Sequence, residues 1–580
     1  MRSSNDSSDL GSPPSGPKRA GAWLGWSAWG LAGTLLAAAA AGLSAAEGTA
    51  IRLQDVTQES GIRFLHTDGS SGEHYLVEAM ASGLATFDFD RDGDLDIYFL
   101  NGAPLRGMVV KETPRNALYR NDGGWRFTDV TEHSGLGDAS FGLGVAIADY
   151  NEDGHPDVFL NNFGPHALYR NNGDGTFTNV TIQAKLKEGG TVGAGASFLD
   201  IEGDGDLDLY AANYIQFSYE ANPPSVFRGR KVYPGPVVFP AQADQLFRNN
   251  GDGTYTDISR DAGVSGQASW GMGTAAADFD DDGDTDILVA NDSAQNFLWQ
   301  NDGTGKFQEE GLQRGIAFDY RGEALGSMGV DVGDFNNDGR LDAFMTSYEK
   351  QLTALYQNLG QGLFQDVTRR TGAGIGTVPR VNWGTGMVDF DNDGDRDLFF
   401  ANGHIHDNLD EFDDTTSYRQ PNQLLENHGG RRFSDVSTEC GLGTKGQHSG
   451  RGACFEDFDN DGDVDAVVLN SRELPTLLEN RRQNAHAWIE IELVGRKTNR
   501  DGVGARVWVE AGNRVQVAEV LSGRGYQSHF GTRLHFGLAE RQRIDRIEVR
   551  WIGGGRDLIR DIPAGQIVQI HEGGRLYSKK

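Results

Sequence analysis

Cysteine is nearly absent. Two residues, Cys440 and Cys454, in a chain of 580 cannot build a disulfide framework. They can pair once, closing a loop of about 15 residues for about 3 kcal/mol on a chain-entropy view, or remain two buried thiols. An oxidising compartment favours the pair. Basic charge is also scarce. Lys and Arg number 52 against 84 Asp and Glu, and the net charge of −32 argues against nucleic acid or an anionic membrane surface as partner. Cations are the natural partners. No Ser/His/Asp order, Walker loop or dinucleotide fingerprint stands out, so the common nucleophilic and nucleotide-dependent activities have no visible carrier.

Long apolar runs are missing beyond the N-terminus. There, Arg2, Lys18 and Arg19 precede an uncharged stretch over residues 20–46 that ends in Ser44-Ala45-Ala46, a small-residue cleavage pattern. Residues 1–46 are expected to be an export signal, or alternatively a retained N-terminal anchor. The Ala and Gly content makes the stretch only weakly hydrophobic, which favours cleavage. The expected location is therefore secreted, periplasmic or cell-surface.

Glycine, at 80 residues, and aspartate are what the chain has in excess. A nine-residue pattern with an acid or amide at alternate positions and Gly at the sixth occurs seven times. It begins at Asp88, Asp149, Asp200, Asp278, Asp334, Asp389 and Asp457, and the loops hold 33 acids between them. The steps of 51 to 78 residues fall in the range of propeller blades or related arrays. Each loop follows a small-residue stretch such as "GLGVAIADY" and leads into an apolar run such as "DVFLNN". A segment such as "ALYRNNGDGTFTNVT" follows. That order predicts four short strands per unit and a seven-bladed, all-β propeller over residues 47–482. "IRLQDVT" (51–57) resembles a lone fourth strand and is expected to close the seventh blade.

Side chains at positions 1, 3, 5 and 9 can turn hard oxygens onto one point, and the sixth-position Gly permits the bend. The candidate metal ligands are Asp88, Asp90, Asp92 and Asp96 in loop one and Asp149, Asn151, Asp153 and Asp157 in loop two. Loop three offers Asp200, Glu202, Asp204 and Asp208, and loop four Asp278, Asp280, Asp282 and Asp286. Loop five offers Asp334, Asn336, Asp338 and Asp342, loop six Asp389, Asp391, Asp393 and Asp397, and loop seven Asp457, Asp459, Asp461 and Asp465. A protein-built oxygen cage favours calcium over magnesium, so up to seven structural calcium ions are expected. An EF-hand is excluded because its position-12 Glu is replaced by Phe99, Leu160, Ala211, Val289, Met345, Phe400 or Val468. Loop five, with Arg340 at position 7, is expected to bind most weakly, and the longer Glu202 puts the geometry of loop three in doubt.

These repeats look like the FG-GAP/VCBS type also found in the integrin alpha-chain propeller. Residues 499–572, with "NRDGVGARVWVE", "EVLSGRGYQSH" and "IDRIEVRWIGGG", look like the ASPIC/UnbV domain. Together they resemble bacterial members of the cartilage acidic protein family. That resemblance implies an exported calcium-binding propeller followed by a C-terminal domain, and it brings no agreed catalytic activity. Alternating residues in "WIEIELV" (488–494) independently predict a small β-sandwich or barrel over residues 486–575. Its basic residues, among them Arg496, Lys497, Arg500, Arg506, Arg514, Arg524 and Arg533, read as a solvated surface first, and as a docking face or anion site second.

Three stretches outside the loops carry candidate functional residues: His404 and His406 with nearby carboxylates, the insertion 225–240, and Trp270 and Trp383 as sugar-stacking or packing residues. The expected function is a non-enzymatic scaffold that binds an extracellular protein or polysaccharide, in the manner of adhesion. The alternative is a glycan-active lyase or hydrolase using the propeller mouth near His404.

Overall fold

The computed structural model describes residues 48–186, 191–443 and 448–579; the expected export signal lies outside them. Thr49–Lys580 forms one compact unit. Seven antiparallel four-stranded blades occupy most of it; five are separate sheets, and blades two and three are joined through Asp157–Gly164 and Thr191–Leu199 into one eight-stranded sheet. Blade one comprises Leu84–Phe87, Asp96–Phe99, Ala117–Asn121 and Phe127–Asp129, and the other six repeat its plan. In each, a short-residue inner strand runs into the acidic loop, an apolar strand returns, and two outer strands follow. The inner and second strands are buried on both faces, which is why they read as continuous apolar runs rather than alternating ones. Together the blades form a seven-bladed β-propeller.

The seventh blade takes its outermost strand from the start of the chain. Leu53–Asp55 pairs antiparallel with Thr476–Asn480, so one blade joins the two ends of the propeller sequence. Neighbouring inner strands approach closely. A Cβ on Gly144 would meet the Ala194 carbonyl oxygen at 1.8 Å, so glycine is required at that crossing between blades two and three.

Two further four-stranded sheets form the C-terminal region. One orders Leu534–Ala539, Ala487–Val494, Gln566–His571 and Arg575–Lys579, and the other Arg514–Glu519, Arg506–Ala511, Arg543–Arg550 and Arg556–Pro563. Their buried residues, including Ile489, Val507, Ile547 and Val568, share one cluster with Phe159, Phe198 and Leu209 of blades two and three. The region therefore packs against the propeller instead of hanging from it.

Residues 521–531 leave that region and run down the propeller channel. Ser522 bridges Phe198, Gly525 bridges Val330 and His529 bridges Ala85, so the segment pairs with inner strands of blades three, five and one. Its Tyr526 is fully buried, donates to the Met80 carbonyl at 3.1 Å and packs edge-on against Trp383 at 5.0 Å. The channel is filled by the chain itself.

The structure corrects three expectations. The cysteines do not pair: both are free and buried, the Cys454 thiol facing the Leu84 and His529 carbonyls and the Cys440 thiol the Ser437 carbonyl. Trp383 is not an exposed stacking residue; its ring is buried between Tyr526 and the Arg451 guanidinium at 4.3 Å. The C-terminal arginines are not uniformly solvated. Arg506 contacts Asp281 and the Asp278 carbonyl, Arg514 donates to the Asp393 carbonyl at 2.5 Å, and Arg524 pairs with Asp331. Arg533 donates to Asn460 at 2.7 Å and to the Gly93 carbonyl at 3.0 Å. Basic charge meets the acidic loop face because the low-dielectric contact strengthens their attraction.

Replacing Tyr526 with Ala removes a buried ring from the channel and should cost about 4 kcal/mol in urea unfolding. A loss under about 1 kcal/mol would mean that the segment does not stabilise the channel.

Candidate metal centres

The seven loops share one backbone trace. The fourth residue takes a left-handed conformation in Arg91, Glu152, Asp281, Asn337, Asn392 and Asn460, and Gly203 fills that place in loop three. The sixth-position glycine does so again, at φ of 87° to 104°. These two reversals fold the loop so that its N–H groups point inward. The first-position carboxylate accepts the sixth-residue N–H in every loop, as in Gly93 to Asp88 at 3.0 Å and Gly394 to Asp389 at 2.7 Å. The fifth-position carboxylate accepts the seventh-residue N–H.

The ninth-position aspartate is buried and committed differently. One oxygen accepts the second-residue N–H and the other accepts the N–H of an asparagine at the end of the third strand. For Asp342 these are Phe335 at 3.2 Å and Asn358 at 2.7 Å. The same pair of bonds forms at Asp96, Asp157, Asp208, Asp286, Asp397 and Asp465.

That asparagine was not singled out from the sequence, although it stands at the same place in all seven units, as in "ALYRN" and "TLLEN". Its amide reaches the preceding blade. Asn171 donates to the Phe89 carbonyl at 2.9 Å, Asn249 to Tyr150 at 3.0 Å, Asn301 to Ile201 at 2.8 Å and Asn358 to Phe279 at 2.7 Å. Asn427 donates to Phe335, Asn480 to Phe390 and Asn121 to Phe458, each at 2.8 Å, which carries the series across the closure from blade one to blade seven. The acceptor is always the second residue of the preceding acidic loop.

Four loops bring three carboxylates within 4.8 Å of one another: Asp88, Asp90 and Asp96; Asp278, Asp280 and Asp282; Asp389, Asp391 and Asp397; Asp457, Asp459 and Asp465. These Asp-rich clusters can hold metal ions. Within them Asp278 Oδ1, Asp280 Oδ1, Asp389 Oδ1 and Asp459 Oδ1 are buried without a hydrogen-bond partner, which is costly unless a cation or water meets them. Among the described residues no such triad forms in loops two, three and five. Loops two and five carry Asn151 and Asn336 at the third position, loop three carries Glu202, and in loop five Arg340 binds Asp338 at 2.6 Å.

Burial, followed by neighbouring carboxylates, raises the acids. Asp88, Asp200, Asp280 and Asp334 are pushed up to about 6, mainly by burial. Asp149, Asp393, Asp461 and Glu202 rise to about 7 and Asp157 to about 9 by the same cause. Burial also holds Asp96, Asp208, Asp286, Asp342, Asp389, Asp397, Asp457 and Asp465 well above the usual range.

The FG-GAP-like repeat model matches residues 88–160, 149–211, 237–289, 278–345, 334–400 and 389–468. The chain belongs to the FG-GAP-like repeat family. Residues 495–576 match the ASPIC and UnbV model. Cartilage acidic protein 1 of Xenopus tropicalis is 22% identical over 89% of this chain and 68% of its own length. The Homo sapiens protein of that name is 23% identical over 87% and 65%. The FG-GAP chain thus spans about two thirds of the length of these relatives. An Agrocybe aegerita protein solved for recognition of non-reducing terminal N-acetylglucosamine is 20% identical, covering 62% of this chain and 81% of its own at a TM-score of 0.38. The BP39L lectin of Burkholderia pseudomallei is 11% identical over 68% and 94%, at 0.42.

His404 and His406 lie on the rim opposite the FG-GAP acidic loops. His404 is buried with Nε2 3.7 Å from Glu349, and His406 stacks on Tyr233 of the insertion, whose other side meets His74 at 4.7 Å. Arg472 there binds Asp68, Asp407 and the Tyr233 hydroxyl. The insertion is fastened across this rim, with Arg230 on Glu411 at 3.1 Å and Lys231 on Glu73 at 2.7 Å. Beneath His404 and His406, Tyr526 and Trp383 share one apolar cluster, against which Ile405, between the two histidines, is packed.

Replacing Asn358 with Ala leaves the Phe279 and Leu341 carbonyls and the Gly360 N–H without this partner and should cost about 3 kcal/mol in urea unfolding. A cost under about 0.5 kcal/mol would remove the asparagine from any role in holding blades together. The raised acids set a pH dependence. Protonation is favoured by the fold, so the stability of metal-free protein is present below about pH 4 and is lost as pH rises through 6 to 9. The melting temperature in EDTA should fall from pH 5 to pH 8; a rise over that range would contradict it.

Proposed function

We propose that this protein is an exported, calcium-loaded propeller that serves as a binding scaffold for a protein or polysaccharide outside the cytoplasm, as in adhesion. The carrying observation is the set of buried, unpartnered oxygens inside the convergent loops. They are hard donors on a backbone whose own N–H groups already orient the carboxylates, so a cation can enter without rebuilding the loop. Calcium suits a cage made mostly of protein oxygen, whereas magnesium demands a tighter octahedron and keeps its water. The first, third, fifth and ninth residues would hold the ion, and its charge would offset the repulsion that burial has intensified.

Seven ions would take the formal charge from −32 to −18. The role proposed for them is structural, because the loops sit where blades meet and carry the asparagine bonds between blades. Residues 47–482 are read as the propeller and 486–575 as the ASPIC/UnbV part seated on its loop face. The basic start and small-residue cleavage pattern of residues 1–46 support export. Among the described residues no helix is long and apolar enough to cross a membrane.

With site affinities of about 0.1 mM against about 1 mM calcium, mass action adds about 1.4 kcal/mol per site, and on the order of 10 kcal/mol for seven. EDTA should sharply lower the melting temperature at pH 7.5, and calcium should restore it. A melt indifferent to EDTA would overturn the calcium reading. Glycan-array and pull-down binding with and without calcium tests the scaffold reading directly.

A further inference from the structure

A cleft of about 350 Å³ opens between loops one and two of the propeller and the C-terminal region. That is within the size range of small-molecule sites. Its wall carries the Lys579 and Arg533 ion pairs with Glu492, carboxylates that already accept hydrogen bonds, and a few donors that are not in use. Asp88 accepts from Gly93 at 3.0 Å and Asp92 at 3.1 Å, and Asp501 accepts from the Asp149 N–H at 2.6 Å. Arg91 and Arg500, both exposed at the cleft, donate no side-chain hydrogen bond and close no ion pair within 4 Å, and the Thr532 hydroxyl makes no hydrogen bond.

His529 supplies a buried donor. It is fully buried in the channel segment and forms part of the cleft wall. Its Nδ1 faces two N–H groups, from Gly523 at 3.2 Å and Ile147 at 3.3 Å, and can only accept. The proton is therefore on Nε2, which is buried and has no partner. A buried N–H without an acceptor is rare, and a ligand oxygen would satisfy it. Two guanidiniums that lie in the field of Asp501 but donate no side-chain hydrogen bond, a hydroxyl and this N–H together describe a cleft waiting for oxygen, with negative charge at the arginine end.

We propose that this cleft binds an acidic saccharide: Arg91 and Arg500 hold the carboxylate of a uronate residue, and a ring or hydroxyl oxygen accepts from His529 Nε2–H. The proposal rests on the scaffold reading and names a ligand class for it. The cleft lies on the loop side, where the propeller and the C-terminal region both contribute, so neither part alone completes it.

The test is a calorimetric titration of the full chain, calcium-saturated, with sodium glucuronate, glucose and sodium acetate. Glucuronate should bind at least about tenfold more tightly than either, since charge and hydroxyl are both read. Arg91→Ala and Arg500→Ala, at exposed positions, should each weaken glucuronate about tenfold with an unchanged melting temperature. Arg543→Ala, an exposed arginine that pairs with Asp561 and does not line the cleft, should have no effect. Glucose binding as well as glucuronate, acetate binding as well, or glucuronate binding unaltered in both variants would each overturn the proposal. The EDTA melt reads all seven loops, of which loop one borders the cleft through Asp88 and Arg91, whereas glucuronate binding is read with calcium saturating, so the calcium reading and the cleft can fail separately.

Discussion

The aspartate ending each acidic loop is buried at the root of the second strand, and its two oxygens are shared between its own loop and an asparagine of the third strand. The asparagine in turn passes its amide protons to a carbonyl of the preceding blade. Burying a carboxylate is expensive unless it is bonded, and burying an amide is expensive unless all its groups are used. Each blade therefore stabilises its neighbour through groups that cannot be left alone. Seven such links, running in one direction, close a ring in which loop geometry and blade packing depend on each other.

The same constraint explains why the acidic loops concentrate at one end. Their charge would repel in isolation, but at that end they meet the arginines of the C-terminal region. Arg506 and Arg550 approach loop four, Arg514 loop six, and Arg533 loops one and seven. A strongly acidic propeller and a basic-rich cap are complementary halves. The channel segment adds directional backbone pairing to that attraction, so the cap is held by geometry as well as by charge.

The opposite rim follows different rules. There the insertion after Asn213 folds back, tied by Lys231, Arg230 and the Tyr233 hydroxyl, and it covers part of the rim with histidines and carboxylates. Its tip leaves Val226 and Phe227 exposed. The two ends of the propeller thus present different chemistry to their surroundings.

The repeat period, the four-strand unit, the seven acidic loops and the closing strand at residues 51–57 could be read from the sequence, because each rests on short-range pattern: short apolar runs, turn residues and ligand spacing. The asparagine clasp was visible as a repeated letter but not as a link, because its acceptor lies one blade away. Which loops bring three carboxylates together was likewise undecided by spacing alone; Asn151, Asn336 and Glu202 show the relevant variation, but convergence depends on side-chain direction. The burial of Trp383, the separation of Cys440 from Cys454, and the threading of residues 521–531 through the channel were set by contacts between segments tens to hundreds of residues apart. Local chemistry determined the blade and its loop; only the closed ring, which brings distant residues into a shared low-dielectric interior, decided which charges are paired, which polar atoms are left over and which surface remains for a ligand.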